Sequence, residues 1–232
     1  MGRAYNAKQW EVRAILDGRK SCIRIAVKYK YSNTEMKIKS DKYGSRLIEI
    51  QKDVEGETYG KNPDGSTWHR LLPYIEKIPP YKKGDILYVR ETIWQKTGHY
   101  LDVDGETKAV WCNEFRYAAS DEKPEVGWNY SWGKRPSIHM PKEAARIWLK
   151  VTDVRVERLQ EITEDGAKTE GAIDNRGFIH SPDNEYDSIH TAREHFAEIW
   201  NSTIKKSDLE RYGWDASPWV WVIEFERCEK PE

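Results

Sequence analysis

The chain has few of the features by which many protein classes are recognised. It contains three cysteines, Cys22, Cys112 and Cys228, and no C-x-x-C spacing. This pattern supports neither a disulfide framework nor a zinc ribbon, so reduced structural thiols are expected. The sequence also lacks a P-loop, a G-x-G-x-x-G segment after a strand, an H-E-x-x-H motif and a paired His/Cys cluster. It therefore gives no support for triphosphate, dinucleotide or zinc chemistry, and we expect neither a metal nor an organic cofactor.

Long hydrophobic runs are also missing. The longest apolar runs, at 145–151 and 218–225, are much shorter than the roughly 20 residues of a membrane-spanning helix. The first ten residues have no apolar middle of the kind found in a signal peptide. These absences predict a cytoplasmic protein with no membrane partner.

No excess of one charge identifies a partner. The 38 Lys and Arg residues almost balance 39 Asp and Glu residues, which gives a net charge of −1. The distribution is uneven, because residues 1–52 carry 13 basic and 5 acidic side chains, whereas residues 157–198 carry 4 basic and 11 acidic ones. The basic part could bind a phosphate backbone, since each neutralised phosphate releases counterions, or it could be an ordinary solvated surface.

Tryptophan and tyrosine, in contrast, are abundant. Eleven Trp and 13 Tyr supply most of the aromatic residues, beside only 4 Phe, in a chain of 232 residues. Such a composition predicts a folded protein. The length leaves room for one large or two small domains. Tryptophans that border a cleft could each stack on a base, which is worth roughly 1–3 kcal/mol, whereas others belong to the core. The candidates for either role are Trp94, Trp111, Trp128, Trp132, Trp219 and Trp221.

Hydrophobic periodicity predicts the elements of the first third. Apolar residues recur at helical spacing from Gln9 to Asp17, and Gly18 then ends the helix. Alternation over 22–30 is typical of a half-buried strand. Weaker alternation between residues 33 and 80 surrounds a turn-like cluster at 60–66, which indicates a β insertion.

The remaining elements follow from the same periodicities and from capping signals. An Asp-Gly pair within 101–106 predicts a tight hairpin turn in a second β insertion that ends near Arg135. Thr191 and Glu194 match a capping box ahead of an apolar stripe, which predicts a helix. We further expect strands at 84–91, 144–156 and 218–225 and a helix at 159–171. With no repeat or linker, the chain is predicted to be one α+β domain with a β-barrel core, in which the last strand, 218–227, pairs centrally.

One motif introduces a family resemblance. Gly18-Arg19-Lys20, at the junction of the first helix and strand, resembles the start of the G-x-K-x-x-T-x-R signature of the ASCH family. Five longer blocks, spread in order over most of the chain, resemble the larger ASCH proteins of phages and prophages. These blocks are 12–20, 84–92, 135–141, 151–159 and 214–225.

The resemblance implies a PUA-like β-barrel with flanking helices. Its core would consist of about 10–30, 82–94, 136–173 and 190–228. The two β-rich insertions, at about 31–81 and 95–135, fall between these blocks. The whole chain, 1–232, is then a single ASCH domain.

The resemblance also implies an activity. ASCH proteins bind RNA or modified nucleosides in a cleft of the barrel, and one bacterial branch hydrolyses N4-acetylcytidine to cytidine with a Thr, a Lys and a Glu. By the motif the Lys falls on Lys20, and the Glu falls on Glu170, eight residues after Ile162. The positions of the Thr and of the final Arg are occupied by Ile23 and Ile25.

The chemistry of amide hydrolysis assigns further candidate roles. The reaction needs a nucleophile, a base and donors for the oxyanion. Lys20 could be the base and Glu170 its orienting carboxylate, although a lysine after a helix-ending glycine can also be a solvated cap. Ser21 could replace the missing Thr, or it could be an ordinary turn serine. Cys22 is a weaker candidate, because a buried thiol is normally inert.

Four further residues are candidates for binding a nucleoside or nucleic acid. Arg19 and Arg24 flank Lys20 and could bind phosphate. Glu91 ends a predicted strand, where it could line a cleft or pair with an arginine such as Arg90 or Arg24. His139 could bind a base edge or a phosphate, or it could be structural.

Three functions are therefore compatible with the sequence. The first is ASCH-type recognition of RNA or N4-acylated cytidine, with amidohydrolase activity. The second is a non-catalytic module that binds RNA or single-stranded DNA. The third is an RNA nuclease, although no pair of histidines in the sequence suggests a general acid and base.

Overall fold

A computed structural model of the chain describes residues 2–31, 34–42, 44–51, 58–61, 63–64, 67–69, 75–127, 129–176 and 190–231. The fold is of the α+β type and consists mostly of strands. In chain order the strands are β1 (Arg3–Asn6), β2 (Cys22–Ala26), β3 (Thr34–Asp41), β4 (Gly44–Gln51), β5 (Thr58–Lys61), β6 (Thr67–His69), β7 (Ile75–Glu76), β8 (Ile86–Arg90), β9 (Ile93–Leu101), β10 (Thr107–Tyr117), β11 (Tyr130–Arg135), β12 (Trp148–Arg158) and β13 (Trp219–Cys228). The α-helices are α1 (Gln9–Leu16), α2 (Glu164–Thr169), α3 (Ala192–Thr203) and α4 (Leu209–Tyr212).

A five-stranded sheet in the order β1-β8-β12-β13-β2 forms the centre of the fold. β1 runs parallel to β8, and the other neighbours are antiparallel. β13 pairs with β12 on one side and with β2 on the other, so the prediction of a central last strand is confirmed. Its Val220, Val222 and Ile223 are fully buried, as expected of a strand covered on both faces.

The sequence predicts a closed or nearly closed barrel, and the described residues form no closed barrel. Over the described residues the sheet ends at β1 and β2, and these two edge strands are not hydrogen-bonded to each other. Helix α1 lies between them in the chain, and its Val12 and Ile15 pack in one core cluster with Tyr5 of β1 and Ile23 of β2. Side chains of a helix therefore connect the two edges, where a barrel would have backbone hydrogen bonds.

Two hydrophobic clusters cover the two faces of the sheet. Ile23 belongs to the cluster under α1, together with Leu87, Leu149 and Phe225. Cys22 belongs to the cluster under the other helices, which includes Leu159, Ala167 and Trp200. Neighbouring residues of β2 thus face different cores, which agrees with the period of two expected of a strand.

The first insertion forms β structure, as predicted. β3 and β4 are an antiparallel hairpin, β7 pairs with β4, and β5 pairs with β6. The buried carboxylate of Glu49 on β4 accepts hydrogen bonds from the backbone amides of Lys30 and Tyr31 and from the Thr34 hydroxyl, and it is paired with Lys77. It therefore fixes the entry and exit of the insertion. The predicted turn at 60–66 lies partly outside the described residues.

The second insertion is a three-stranded antiparallel sheet in the order β10-β9-β11. The predicted hairpin turn is confirmed between β9 and β10, where Gly105 has φ +78°. Burial alternates along β9, with Ile93, Gln95 and Thr97 buried and Trp94 and Lys96 partly exposed. The face that carries Ile93 packs on a core cluster near the base of the sheet, through Ile93, Phe115 and Tyr117, whereas Trp111, further out on the same face, is exposed. Trp128 lies outside the described residues.

The helices are confirmed in type but not always in length. Helix α3 begins at the Thr191 capping box, in which the Thr191 hydroxyl accepts from Glu194 N. The predicted helix 159–171 is shorter, because β12 continues to Arg158, a 3-10 turn follows at Leu159–Glu161, and α2 begins only after its N-cap Thr163. None of the described helices combines the length and apolar character that a bilayer crossing needs.

Candidate functional site

Lys20 and Glu170 lie together at the centre of the candidate site. Each follows a helix, and Gly18 after α1 and Gly171 after α2 adopt positive φ angles of +73° and +91° that turn the chain. The two residues form an isolated antiparallel bridge, and Lys20 Nζ donates to Glu170 Oε2 at 2.7 Å and to its backbone oxygen at 3.0 Å. Only 3% of either residue is exposed. The pair that the resemblance predicted is therefore present, but it is buried.

Alternating charges extend this pair in both directions. Arg24 Nη1 lies 3.2 Å from Glu170 Oε1, and Arg24 Nη2 lies 3.4 Å from Glu157 Oε2. On the other side Lys20 Nζ lies 3.7 Å from Glu11 Oε1. Two buried cations are thus surrounded by three carboxylates, which compensates for the loss of hydration.

Tyr5 ends this row of polar groups beneath helix α1. Its hydroxyl donates to Glu11 Oε1 at 2.6 Å. Burial, together with the Glu11 carboxylate, holds the pKa of Tyr5 well above its usual value of 10.0. Tyr5 therefore remains a neutral hydrogen-bond donor over the physiological range.

The positions from which a nucleophile was expected, 21–23, do not supply one for the buried Lys20 amine. Ile23, at the Thr position of the motif, is buried in the apolar core and not in a cleft. Ser21 is exposed. Its backbone amide donates to the Thr169 carbonyl, and its own carbonyl accepts from the Phe225 amide. Cys22 is buried, and burial, reinforced by the Glu170 carboxylate, raises its pKa to about 12. A thiol with such a pKa is not a nucleophile at neutral pH.

We predict that Cys22 resists alkylation in the folded protein. At pH 8, iodoacetamide should modify Cys112, which is partly exposed, at least about tenfold faster than Cys22, because the thiolate is the reacting form. Mass spectrometry of peptides after timed quenching measures both rates in one sample. Equal rates in the folded protein, with equal rates also in urea, would contradict this prediction.

An open pocket of about 320 Å³ lies next to the buried pair: its lining includes Arg19 and Gly171, the chain neighbours of Lys20 and Glu170, but neither member of the pair. Gly171 forms part of its wall, and a Cβ placed there would lie 3.5 Å from both Lys20 Cβ and the Trp10 ring. Trp10 is partly exposed in the pocket, and Lys20 Nζ lies 5.5 Å from its ring centroid. The lining consists of an aromatic ring, a cation, a histidine and apolar or small residues: Trp10, Arg19, Gly171, Ile173, His195, Ile199 and Ser202.

The two candidate arginines occupy different environments. Arg19 is exposed, pairs with Asp17 at 2.9 Å, and borders both this pocket and a neighbouring one of about 370 Å³. Arg24 is only 8% exposed, because its guanidinium contacts Glu170 and Glu157. Arg19 is therefore placed to contact a ligand, whereas Arg24 is a counterion inside the fold.

Glu91 and His139 lie apart from the Lys20 pair. Glu91 is 1% exposed and accepts two hydrogen bonds of 2.9 Å from Arg146, and not from Arg90 or Arg24. It thus forms a second, separate buried ion pair. His139 is exposed in the 3-10 turn Ser137–His139.

Sequence reasoning missed several residues of the site. His190 and His195 have ring centroids 4.8 Å apart, although the sequence had suggested no pair of histidines. His195 Nδ1 accepts from Ile173 N, and burial, followed by the effect of His190, lowers the pKa of His195. Glu11, by contrast, carried a signal, because it occupies the third position of α1, where a carboxylate caps the helix.

Several basic side chains of residues 1–52 are engaged in ion pairs or ring contacts within the protein. Lys20 and Arg24 are buried in the ion-pair network, Arg3 pairs with Asp85, and Lys28 Nζ lies 3.7 Å from the Tyr212 ring centroid. The N-terminal part therefore offers fewer cations to a phosphate backbone than its composition indicates.

In the residues that the structure describes, no group of three or more His, Cys, Asp or Glu side chains could hold a metal ion.

Comparisons with known proteins add no assignment. No family model matches the chain, and no curated protein or solved structure matches it either.

Proposed function

We propose that this chain recognises a nucleoside, free or within single-stranded RNA. The binding site is the pocket lined by Trp10, Arg19 and Gly171, next to Lys20 and Glu170. The observation that carries the proposal is the contact between these two residues, which an ASCH resemblance predicted from positions 150 residues apart in the chain. The proposal includes a PUA-like relationship for the fold, which is supported by the central position of the last strand in the sheet.

The lining of the pocket supports a nucleoside as the ligand. The partly exposed Trp10 ring offers a surface on which a base can stack. Arg19 at the rim can bind a phosphate, and His195 can form a hydrogen bond to a base or ribose. The cavity of about 320 Å³ lies at the lower end of the usual range for small-molecule sites.

The buried network favours recognition over hydrolysis. Lys20 Nζ donates to two oxygens of Glu170 and faces Glu11, which is the arrangement of a cation in an ion-pair network. A base that deprotonates a nucleophile needs a nucleophile within reach, and Ile23 replaces the motif's Thr. In a recognition function, Lys20 and Glu170 fix the position of Gly171 in the pocket wall. Neither residue then has to contact an atom that reacts.

The amidohydrolase reaction is the second candidate. The 2.7 Å contact between the Lys20 amine and the Glu170 carboxylate favours it, because these are two of the three groups that the resemblance assigns to catalysis. In this case Lys20→Ala abolishes turnover of N4-acetylcytidine, and Ile23→Thr increases it.

Binding and turnover of N4-acetylcytidine distinguish the two candidates. We expect calorimetry to detect binding, and Trp10→Ala to weaken it by roughly tenfold through the loss of stacking. Trp111→Ala, on the second insertion, is the matched control and should bind as the unchanged protein does. Absence of binding by the unchanged protein to both free cytidine and free N4-acetylcytidine would refute the proposal.

The same samples test for catalysis. Conversion to cytidine, followed by its absorbance change, would replace recognition by the amidohydrolase function. Cleavage of a labelled RNA would support a nuclease and would direct attention to His190 and His195.

A further inference from the structure

The outer face of the second insertion is an unpartnered sheet surface in which aromatic rings and cations alternate. The register places Arg116, Trp94 and Lys134 side by side on β10, β9 and β11. The next row contains Lys96 beside Trp132. Residues paired across strands point to the same side of a sheet, so these five side chains share one face.

Burial differs between the two faces. On the opposite side of β9, Gln95 and Thr97 are 5% and 7% exposed, and the one ring there that is largely exposed among the described residues of these strands is Trp111, beside Arg135. Trp94 and Lys96 are partly exposed, and Arg116 and Lys134 are exposed. The face is therefore accessible over its whole width.

Each aromatic ring on this face lies beside a cation. Lys134 Nζ is 5.6 Å from the Trp94 ring centroid, Arg116 Cζ is 5.6 Å from that of Trp132, and Lys96 Nζ is 4.8 Å from that of Tyr130. A carboxylate, Glu114, pairs with Lys96 at 2.6 Å. Three cations face one acid, so this face is net positive.

We propose that this face binds single-stranded nucleic acid. A nucleotide carries a planar base next to an anionic phosphate, and the face presents a ring next to a cation three times. Exposed aromatic side chains on a sheet are a general means of stacking unpaired bases. An acidic peptide would satisfy the cations but would leave the rings without stacking partners, so nucleic acid is the better match.

The inference goes beyond the proposed function and does not depend on it. The pocket would select one nucleoside, whereas this face would hold neighbouring nucleotides without selecting their sequence. Stacking and phosphate contacts of this kind do not discriminate between RNA and DNA, so both should bind.

Fluorescence anisotropy with labelled oligouridylate and oligodeoxythymidylate of about 12 nucleotides tests the inference on the full chain. We expect Trp132→Ala to weaken binding on the order of tenfold. Trp111→Ala is the matched control, because Trp111 pairs with Thr97 and therefore lies on the opposite face of the same sheet. An abasic oligomer of equal length should bind about as weakly as the Trp132→Ala variant binds the normal oligomer.

A charge variant keeps the test valid if Trp132→Ala disturbs the fold. Lys134→Glu changes an exposed side chain and should weaken binding. It should also reduce the slope of log affinity against log salt concentration by about 0.7 for each phosphate contact that is lost. Lys123→Glu, also exposed but off this face, is its control.

Unchanged affinity in both Trp132→Ala and Lys134→Glu would overturn the inference, as would equal competition by polyglutamate. These outcomes are distinguishable from failure of the proposed function, because the latter is measured with free N4-acetylcytidine. Trp10→Ala should weaken binding of the nucleoside, and the variants of the sheet face should not.

Discussion

Glu170→Gln is expected to destabilise the protein by about 3–5 kcal/mol, because it removes the negative charge that is closest to two buried cations. Lys20 Nζ and Arg24 Nη1 both contact the Glu170 carboxylate, and both residues are less than one tenth exposed. Glutamine retains the size of the side chain, so the change tests charge and not packing. The free energy of unfolding in urea at pH 7 measures the effect.

Asp165→Asn on the same short helix is the matched control. Asp165 is 94% exposed and pairs with the exposed Lys168, so its loss should change the free energy of unfolding by less than about 0.5 kcal/mol. Lys20→Met combined with Glu170→Gln should be less destabilising than the sum of the single changes, by about 0.5–3 kcal/mol. Equal stability of Glu170→Gln and Asp165→Asn would show that the network is not stabilising.

Glu49→Gln is expected to remove about 3 kcal/mol of stability at pH 7 and almost none near pH 2. Burial alone would raise the pKa of Glu49, but hydrogen bonds from Lys77, Thr34 and two backbone amides lower it from 4.5 to about 2. Because the folded pKa is the lower one, the stabilisation is complete above pH 4.5 and is lost as the pH falls towards 2.

Unfolding measured by circular dichroism from pH 2 to pH 7 tests this prediction. Amide hydrogen exchange of β3 and β4 also detects the effect if the insertion opens separately from the rest. Glu35→Gln on the neighbouring strand is the control, since its pairing with Lys37 is largely exposed and should contribute less than about 1 kcal/mol. A constant difference between the unchanged protein and Glu49→Gln over this pH range would contradict the assignment.

Local signals in the sequence predicted most elements but not all of their ends. The capping box predicted α3, and an apolar run with apolar residues on both faces predicted β13, because both patterns depend on neighbouring residues only. β2 ends at Ala26, before the predicted residue 30, because Tyr29 N donates to the Tyr212 hydroxyl and Lys30 N to Glu49. Partners so distant in the chain leave no trace in local periodicity.

The same limit applies to the sheet and the site. Closure of a barrel depends on whether two edge strands meet, which no alternation within either strand encodes. Lys20 and Glu170 were predicted only through a resemblance, and the Glu91–Arg146 pair was not predicted. The rows of rings and cations on the second insertion became visible only from the register, because Trp94, Trp132 and Arg116 lie on three different strands.

The pairing of β2 with β13 has a consequence for synthesis of the chain. Ala26 and Val220 are cross-strand partners, so the central sheet cannot be completed until β13 has left the ribosome. The cross-strand pairs within the hairpins β3–β4 and β9–β10 join residues close in the chain, so these hairpins can form earlier. During translation the nascent chain therefore carries formed hairpins beside an open strand edge, which is the stage at which association with other chains is most favourable.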